Sequence, residues 1–267
     1  MRRGLADRLP GRKLREVSLQ RHDLRWPIPV DAVHDLVGRK VSKVERRSKY
    51  LQVFFSGADR PVALIHLGMS GQLFLDPVPP EPEWRTHEHW RMDFGDRLLR
   101  YVDPRRFGSL DVTPASELDQ HKLIRVLGPE PLSDQFDGDG LHRRTRRRRV
   151  AVKTYLMNAR EVVGIGNIYA SEACYRAGVR PGRGIYRTTR DECHRLVAAV
   201  QEVLEQAIEE GGTTLRDYVG VDEDAGYFQQ SLAVYGRDGE PCLACGEEIK
   251  HFVQAARSTY YCPRCQR

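Results

Sequence analysis

Between residues 12 and 112 the chain alternates short β-branched and aromatic runs with turn residues. The runs lie at 41–44, 51–55, 62–67, 72–75 and 98–102. Their spacing predicts a sandwich or barrel, preceded by a helix at 2–9 and interrupted by one at 31–36. From about Ser116 the apolar period becomes helical. Thr189-Arg-Asp-Glu192 is a capping box opening a helix with apolar Leu196, Val200, Val203, Leu204, Ala207 and Ile208, and Gly211-Gly212 is expected to stop it. In VVGIGNIYASEACYRAGVRP, Gly164 and Gly166 permit a tight path into a helix opened by Asn167 and running to about Ala177, with Gly178 and Pro181 ending it. Such a turn presents free backbone N–H groups, a ready phosphate site, although a plain helical hairpin is the commoner use of the pattern.

With 40% hydrophobic and 30% charged residues, the 267-residue chain can bury a sizeable core. The expected organisation is α+β and multidomain: a β-sandwich at 1–115, a helical domain at 116–235 and a small module at 236–267. The excess of 43 Lys+Arg over 37 Asp+Glu gives only +6, so distribution matters more than the sum. HRRTRRRR, 142–149, concentrates six arginines without an acid, as a phosphate-binding face or a solvated linker would. There is no 18-residue apolar stretch and no secretory signal pattern, so the expected setting is the reducing cytoplasm, with no membrane partner. Three disulfides would be out of place there. Cys174 and Cys193, in helical sequence, read as small buried hydrophobes.

The other four cysteines form two C-x-x-C pairs, Cys242/Cys245 and Cys262/Cys265, separated by 16 residues. This spacing suits four thiolates closing a tetrahedral shell around one structural zinc ion, with no position left open for catalytic water. The last 30 or so residues are too few to fold without such a staple. STYY, 258–261, reads as a strand, predicting a zinc-stapled β-hairpin that fixes Lys250, Gln254 and Arg257 as loop residues.

Seven segments in order then resemble the bacterial formamidopyrimidine-DNA glycosylases, over the whole length of the chain. They are RRSKYL (46–51), HLGMSG (66–71), YVDPRRFG (101–108), LGPEPL (127–132), VVGIGNIYASE (162–172), GGTTLRDY (211–218) and the cysteine module. The resemblance implies an N-terminal β-sandwich, a helix-two-turns-helix domain and a C-terminal zinc finger that clamp damaged double-stranded DNA. It implies a monomeric, bifunctional DNA glycosylase and abasic-site lyase that flips out oxidised purines. Met69, Arg105 and Phe107 match the residues the family inserts into the vacated space, with Arg105 facing the orphaned cytosine. Lys49, His87, Arg106, Arg147, Asn167 and Arg257 match positions used around DNA phosphates, and Lys49 and Arg257 match those assigned as proton donors in elimination. The stretch 211–228 resembles the one that covers an everted 8-oxoguanine, and together with Met69, Arg105 and Phe107 the resemblance favours oxidised purines over the oxidised pyrimidines of the endonuclease VIII relatives.

Family members open Met-Pro-Glu-Leu-Pro-Glu-Val-Glu-Thr, then a variable residue, then Arg-Arg-Gly; here Met1 directly precedes Arg2-Arg3-Gly4. On the resemblance, the nucleophilic secondary amine of the family's N-terminal proline and its neighbouring acid/base glutamate have no counterpart in these residues. Two accounts are open. Met1 occupies the variable position and the cellular protein carries about nine further residues, the favoured expectation; or the protein is a catalytically impaired lesion- or nucleic-acid-binding zinc protein.

Overall fold

The computed structural model describes residues 1–210 and 232–267. They divide into two compact units, 1–125 and 126–210 with 232–267. The expected helix stop at Gly211-Gly212 and the stretch 211–228 lie outside the described residues.

The first unit opens with α1 (Arg2–Ala6), then β1 (Glu16–Leu19), α2 (Val30–His34), β2 (Val41–Arg47), β3 (Tyr50–Phe55), β4 (Pro61–His66), β5 (Gln72–Pro77), β6 (Glu88–Asp93), β7 (Arg97–Val102) and β8 (Ser109–Pro114). Two antiparallel four-stranded sheets, ordered β1-β6-β7-β5 and β2-β3-β4-β8, make the expected sandwich. Between them lie Val53, Phe55, Ile65, Leu73, Trp90, Leu99 and Tyr101, with Leu5 of α1 in the same core. Trp90 and Tyr101 stack at 5.2 Å.

Three strands, β1, β6 and β8, are absent from the sequence reading. β6 reads EHWRMD, and its polar residues Glu88 and His89 hide the alternation because both are buried. Partners from elsewhere permit this: Glu88 Oε2 accepts from buried Arg100 Nη1 at 2.8 Å and from the Arg85 backbone at 2.8 Å. The helices at 2–9 and 31–36 are present but shorter than expected.

The second unit holds α3 (Gly138–Thr145), α4 (Val152–Leu156), α5 (Asn167–Arg176), α6 (Arg190–Glu209) and the hairpin β9 (Lys250–Gln254)/β10 (Arg257–Tyr261). The capping box is formed: the Thr189 hydroxyl accepts from Glu192 N, and the Glu192 carboxylate accepts from Thr189 N. Below it α6 buries Leu196, Val200, Val203, Leu204 and Ala207 against α3 and α5, with Cys174 and Cys193 fully enclosed. Ile208, expected on that apolar face, is instead exposed. Among the described residues no helix is long and apolar enough to cross a membrane.

Candidate nucleic-acid interface and metal centre

In the first unit, strand register brings two loops together. His66 pairs with Ser109 and Gln72 with Val102, so 67–71 and 103–108 cross between the sheets side by side. Gly68, at φ +69°, lies flat against the other loop: a Cβ there would sit 2.5 Å from the Phe107 carbonyl carbon and 2.7 Å from Gly108 N. Only glycine allows this approach. The paired loops carry the three expected inserting residues outward. Met69 is 56% exposed, which excludes a core role, Phe107 is 43% exposed, and the Arg105 guanidinium stands 4.7 Å over the Phe107 ring. Arg106 and His87 both hold left-handed backbone, φ +56° and +63°, a conformation non-glycine residues adopt rarely and often at functional sites.

Lys49 sits in the turn joining β2 to β3, and its charge acts on His66. His66, within HLGMSG, is a further residue of this site that its sequence position alone does not mark. Its Nδ1 accepts from Gly68 N at 2.9 Å, which leaves Nε2–H as a donor, and the Tyr50 ring packs against it at 4.8 Å. Burial, then the charges of Lys49 and Arg25, push its pKa down to about 4. The folded protein therefore keeps His66 neutral where the unfolded chain, titrating near 6.5, is protonated. Stability from this group is present above the unfolded value and is lost as pH falls toward 4. Imidazole NMR is expected to show no His66 inflection between pH 5 and 8; an inflection near 6.5 would contradict this environment.

Arg25 and Trp26 are also unforeseen. The Arg25 backbone N–H donates to the Gly108 carbonyl at 3.1 Å, tying this turn to the Phe107 loop. Trp26 is 51% exposed with the Arg25 guanidinium above its ring. An exposed indole under a cation offers a stacking surface of the kind that holds unpaired bases. Only its exposure in the fold distinguishes Trp26 from an ordinary core tryptophan.

In the second unit, α5 links the helical part to the cysteine module. Gly164 takes φ +81°, whereas Gly166 is ordinary extended backbone and caps α5. Asn167 Nδ2 donates to Ser258 O at 3.1 Å and to the Tyr235 hydroxyl at 3.2 Å. Lys153, only 1% exposed and also unforeseen, donates to Ser258 O and Thr259 Oγ1, both at 2.7 Å. Burial, opposed by Cys174 and aided by Arg257, lowers its pKa to about 8. Asn167 and Arg257 are thus brought together through Ser258, the residue after Arg257. Further along α5, the buried Glu172 carboxylate accepts the backbone N–H groups of Ala233, Val234 and Tyr235 at 2.9, 3.0 and 2.9 Å. The Tyr175 hydroxyl lies 3.2 Å from Cys242 Sγ.

Arg257 and Gln254 flank a two-residue turn, Ala255-Ala256, with φ +48° and +57°. Lys250, expected in the loop, pairs with Tyr261 at the opposite end of the hairpin, because β9 begins earlier than the sequence pattern implies. In the arginine run, Arg146 donates to Tyr186 O and Arg148 pairs with Glu161 at 2.9 Å, while Arg147 is exposed.

The four cysteine sulfurs lie within 4.8 Å of one another, with Cys242–Cys265 at 3.9 Å and Cys245–Cys262 at 3.5 Å. A tetrahedral zinc with Zn–S bonds of about 2.3 Å sets sulfur separations of roughly 3.8 Å, and a disulfide needs about 2.05 Å. The residues fit the metal, and they hold one structural Zn2+. Tyr175 is positioned to donate to the Cys242 thiolate, an outer-shell bond of the sort that orients a ligand.

Three family models match the chain in succession: the formamidopyrimidine-DNA glycosylase N-terminal domain over residues 1–110, the formamidopyrimidine-DNA glycosylase H2TH domain over 127–219, and the zinc finger found in FPG and IleRS over 239–267. The chain is 49% identical over 268 residues to a formamidopyrimidine-DNA glycosylase of Thioalkalivibrio sulfidiphilus, covering 100% of this chain and 96% of that protein. It is 47% identical over 267 residues to the one from Stenotrophomonas maltophilia R551-3, with the same coverage. Among solved structures, it resembles a Lactococcus lactis FPG mutant in complex with Fapy-dG containing DNA, with TM-score 0.91, 30% identity and coverage of 100% and 96%. It also resembles the MutM (FPG) protein of Thermus thermophilus, with TM-score 0.87, 38% identity and coverage of 99% and 95%. The chain belongs to the formamidopyrimidine-DNA glycosylase family, a family of bifunctional DNA glycosylase/abasic-site lyases.

Proposed function

We propose that the protein carries out base-excision repair of oxidised purines, 8-oxoguanine and formamidopyrimidines, by everting the damaged nucleotide, cleaving its glycosidic bond and nicking the abasic strand. The observation that carries this reading is the adjacency of the loops bearing Met69, Arg105 and Phe107, with Met69 and Phe107 exposed. Eversion leaves a hole and costs a few kcal/mol of stacking, which inserted apolar side chains offset. Met69 and Phe107 fill that role, and Arg105 reads the orphaned cytosine. A generic nucleic-acid binder has no need of such a pair of loops.

His87, Arg106, Arg147 and Arg257 contact phosphates through their side chains and Asn167 through its backbone N–H at the start of α5, and together they set register. Lys49 and Arg257 also supply protons during elimination. Neutral His66, with Nε2–H available beside Lys49, donates to an anionic oxygen across the neutral pH range. The zinc holds the hairpin that carries Arg257 and takes no part in bond breaking. The protein acts as a monomer in the bacterial cytoplasm, where the DNA is.

Binding to duplexes with one 8-oxoguanine opposite cytosine is expected to exceed binding to undamaged duplex. Borohydride trapping of the covalent intermediate is best read on a polypeptide carrying the family's Pro-Glu-Leu-Pro-Glu-Val-Glu-Thr opening. No lesion preference and no trapping would sink the reading. Arg105→Ala is expected to reduce discrimination of the opposite base by about 1–3 kcal/mol, the usual worth of a good base contact. An unchanged cytosine-to-adenine ratio would remove Arg105 from that role.

A further inference from the structure

Asp103 is completely buried, yet it belongs to none of the groups that face outward on the first unit. Its Oδ1 accepts from the Ser70 hydroxyl at 2.6 Å and from Arg105 N at 3.3 Å. Its Oδ2 accepts from the Tyr101 hydroxyl at 2.9 Å and Gly108 N at 2.9 Å. The backbone is equally engaged: Asp103 N donates to His87 O at 2.9 Å, and Asp103 O accepts from Arg106 N at 3.2 Å and His89 Nε2 at 2.7 Å. One residue therefore joins three loops. Ser70 follows Met69; Arg105, Arg106 and Gly108 surround Phe107; and His87 supplies the third.

The partners are of a kind only a carboxylate satisfies. Two backbone N–H groups and two hydroxyls point at two oxygens, and an amide in that place would turn an N–H2 group toward at least one backbone donor. Gly68 lets the two backbones lie in contact at 107 and 108, and the Asp103 carboxylate adds the hydrogen bonds that hold them there. The Arg105 guanidinium over the Phe107 ring joins side chains of one loop only, so the spacing of Met69 from that pair is set by backbone. Met69 and Phe107 are exposed, and their geometry is inherited from the backbone beneath.

Resting on the reading of these loops as lesion-void fillers, we propose that Asp103 is a positioning residue for damage recognition: it locks the Met69 loop, the Arg105–Phe107 loop and His87 into one rigid unit before DNA arrives. Preorganisation of this kind matters because displacement by about 1 Å can cost on the order of 100-fold in a site's performance.

The test measures affinity for duplexes with a tetrahydrofuran abasic analogue opposite cytosine or adenine, with thermal unfolding in parallel. Asp103→Asn is expected to lower the cytosine-to-adenine affinity ratio by about tenfold or more at temperatures where the variant is fully folded. Because Asp103 acts through Arg105, the double variant Asp103→Asn/Arg105→Ala is expected to match Arg105→Ala alone in that ratio. Ser70→Ala cuts only the link to the Met69 loop and is expected to weaken lesion binding severalfold, which keeps the test decisive if Asp103→Asn does not fold. A wild-type ratio and wild-type lesion affinity in Ser70→Ala, or in a folded Asp103→Asn, overturns the proposal. A parent protein with no preference for the abasic duplex instead overturns the repair reading, and the proposal falls with it.

Discussion

Chelation of the zinc is expected to unfold residues 239–267 and to abolish tight DNA binding, while the β-sandwich keeps its own thermal transition. Removing the metal leaves a two-stranded hairpin with a small satellite core of Val234, Cys242, Ile249 and Cys262. An isolated two-stranded hairpin is marginal in water. Zinc binding in small four-ligand modules is worth on the order of 10–16 kcal/mol, comparable to the whole stability of a typical domain. The damage also spreads into the helical part. Loss of β10 takes Ser258 O and Thr259 Oγ1 away from Lys153, stranding an ammonium that those two acceptors now satisfy. One zinc per chain by elemental analysis, and loss of both hairpin signal and DNA affinity on its removal, are the outcomes expected. A metal-free protein that binds DNA normally would refute this account of the module.

The second large effect is expected at Glu172. Glu172→Ala removes both oxygens from three converging backbone N–H groups, and Val234 among them is fully buried. Leaving a buried donor unmatched costs about 1–3 kcal/mol, so the fully buried Val234 N–H sets the scale and its two half-buried neighbours add to it. The loss is expected in the second unit's unfolding transition. DNA affinity should follow, because the Tyr235 hydroxyl accepts from Asn167 and the Tyr235 ring packs on Tyr260 at 4.9 Å. Glu172→Gln retains one acceptor and is expected to fall between alanine and wild type. Denaturant unfolding monitored in the helical part distinguishes the three; equal midpoints would show that the turn at 233–235 is held by something else.

Much of this molecule is legible in the residues alone, for reasons that differ from element to element. The zinc ligands are readable because two short spacings and the separation between them encode a tetrahedral shell. The helix α6 is readable because its capping box and its apolar period agree. Glu88 and His89 defeat the alternation rule in β6: whether a charged residue can be buried depends on a partner far away in sequence, here Arg100 for Glu88 and the Asp103 carbonyl for His89. The same limit hides Lys153, Glu172 and Asp103. Each is an ordinary polar residue until the fold supplies its partners: the Ser258 carbonyl 105 positions from Lys153, Ala233 N 61 positions from Glu172, and the Ser70 hydroxyl 33 positions from Asp103. Lys250 is misplaced by the sequence pattern for a simpler reason, since strand ends carry little signal of their own. Met69, Arg105 and Phe107 are reached through a resemblance; the side-by-side crossing of their loops, which gives the triad physical sense, is a matter of register.

That crossing has a practical corollary. Both loops leave the sandwich where β4 and β7 end, so the turns at 56–60 and 94–96, which precede those strands, lie at the other pole. A fluorophore or surface tether attached at Ala58 would ride on the sandwich at the pole opposite the loops that carry Met69 and Phe107, giving single-molecule experiments a handle that leaves those loops unencumbered.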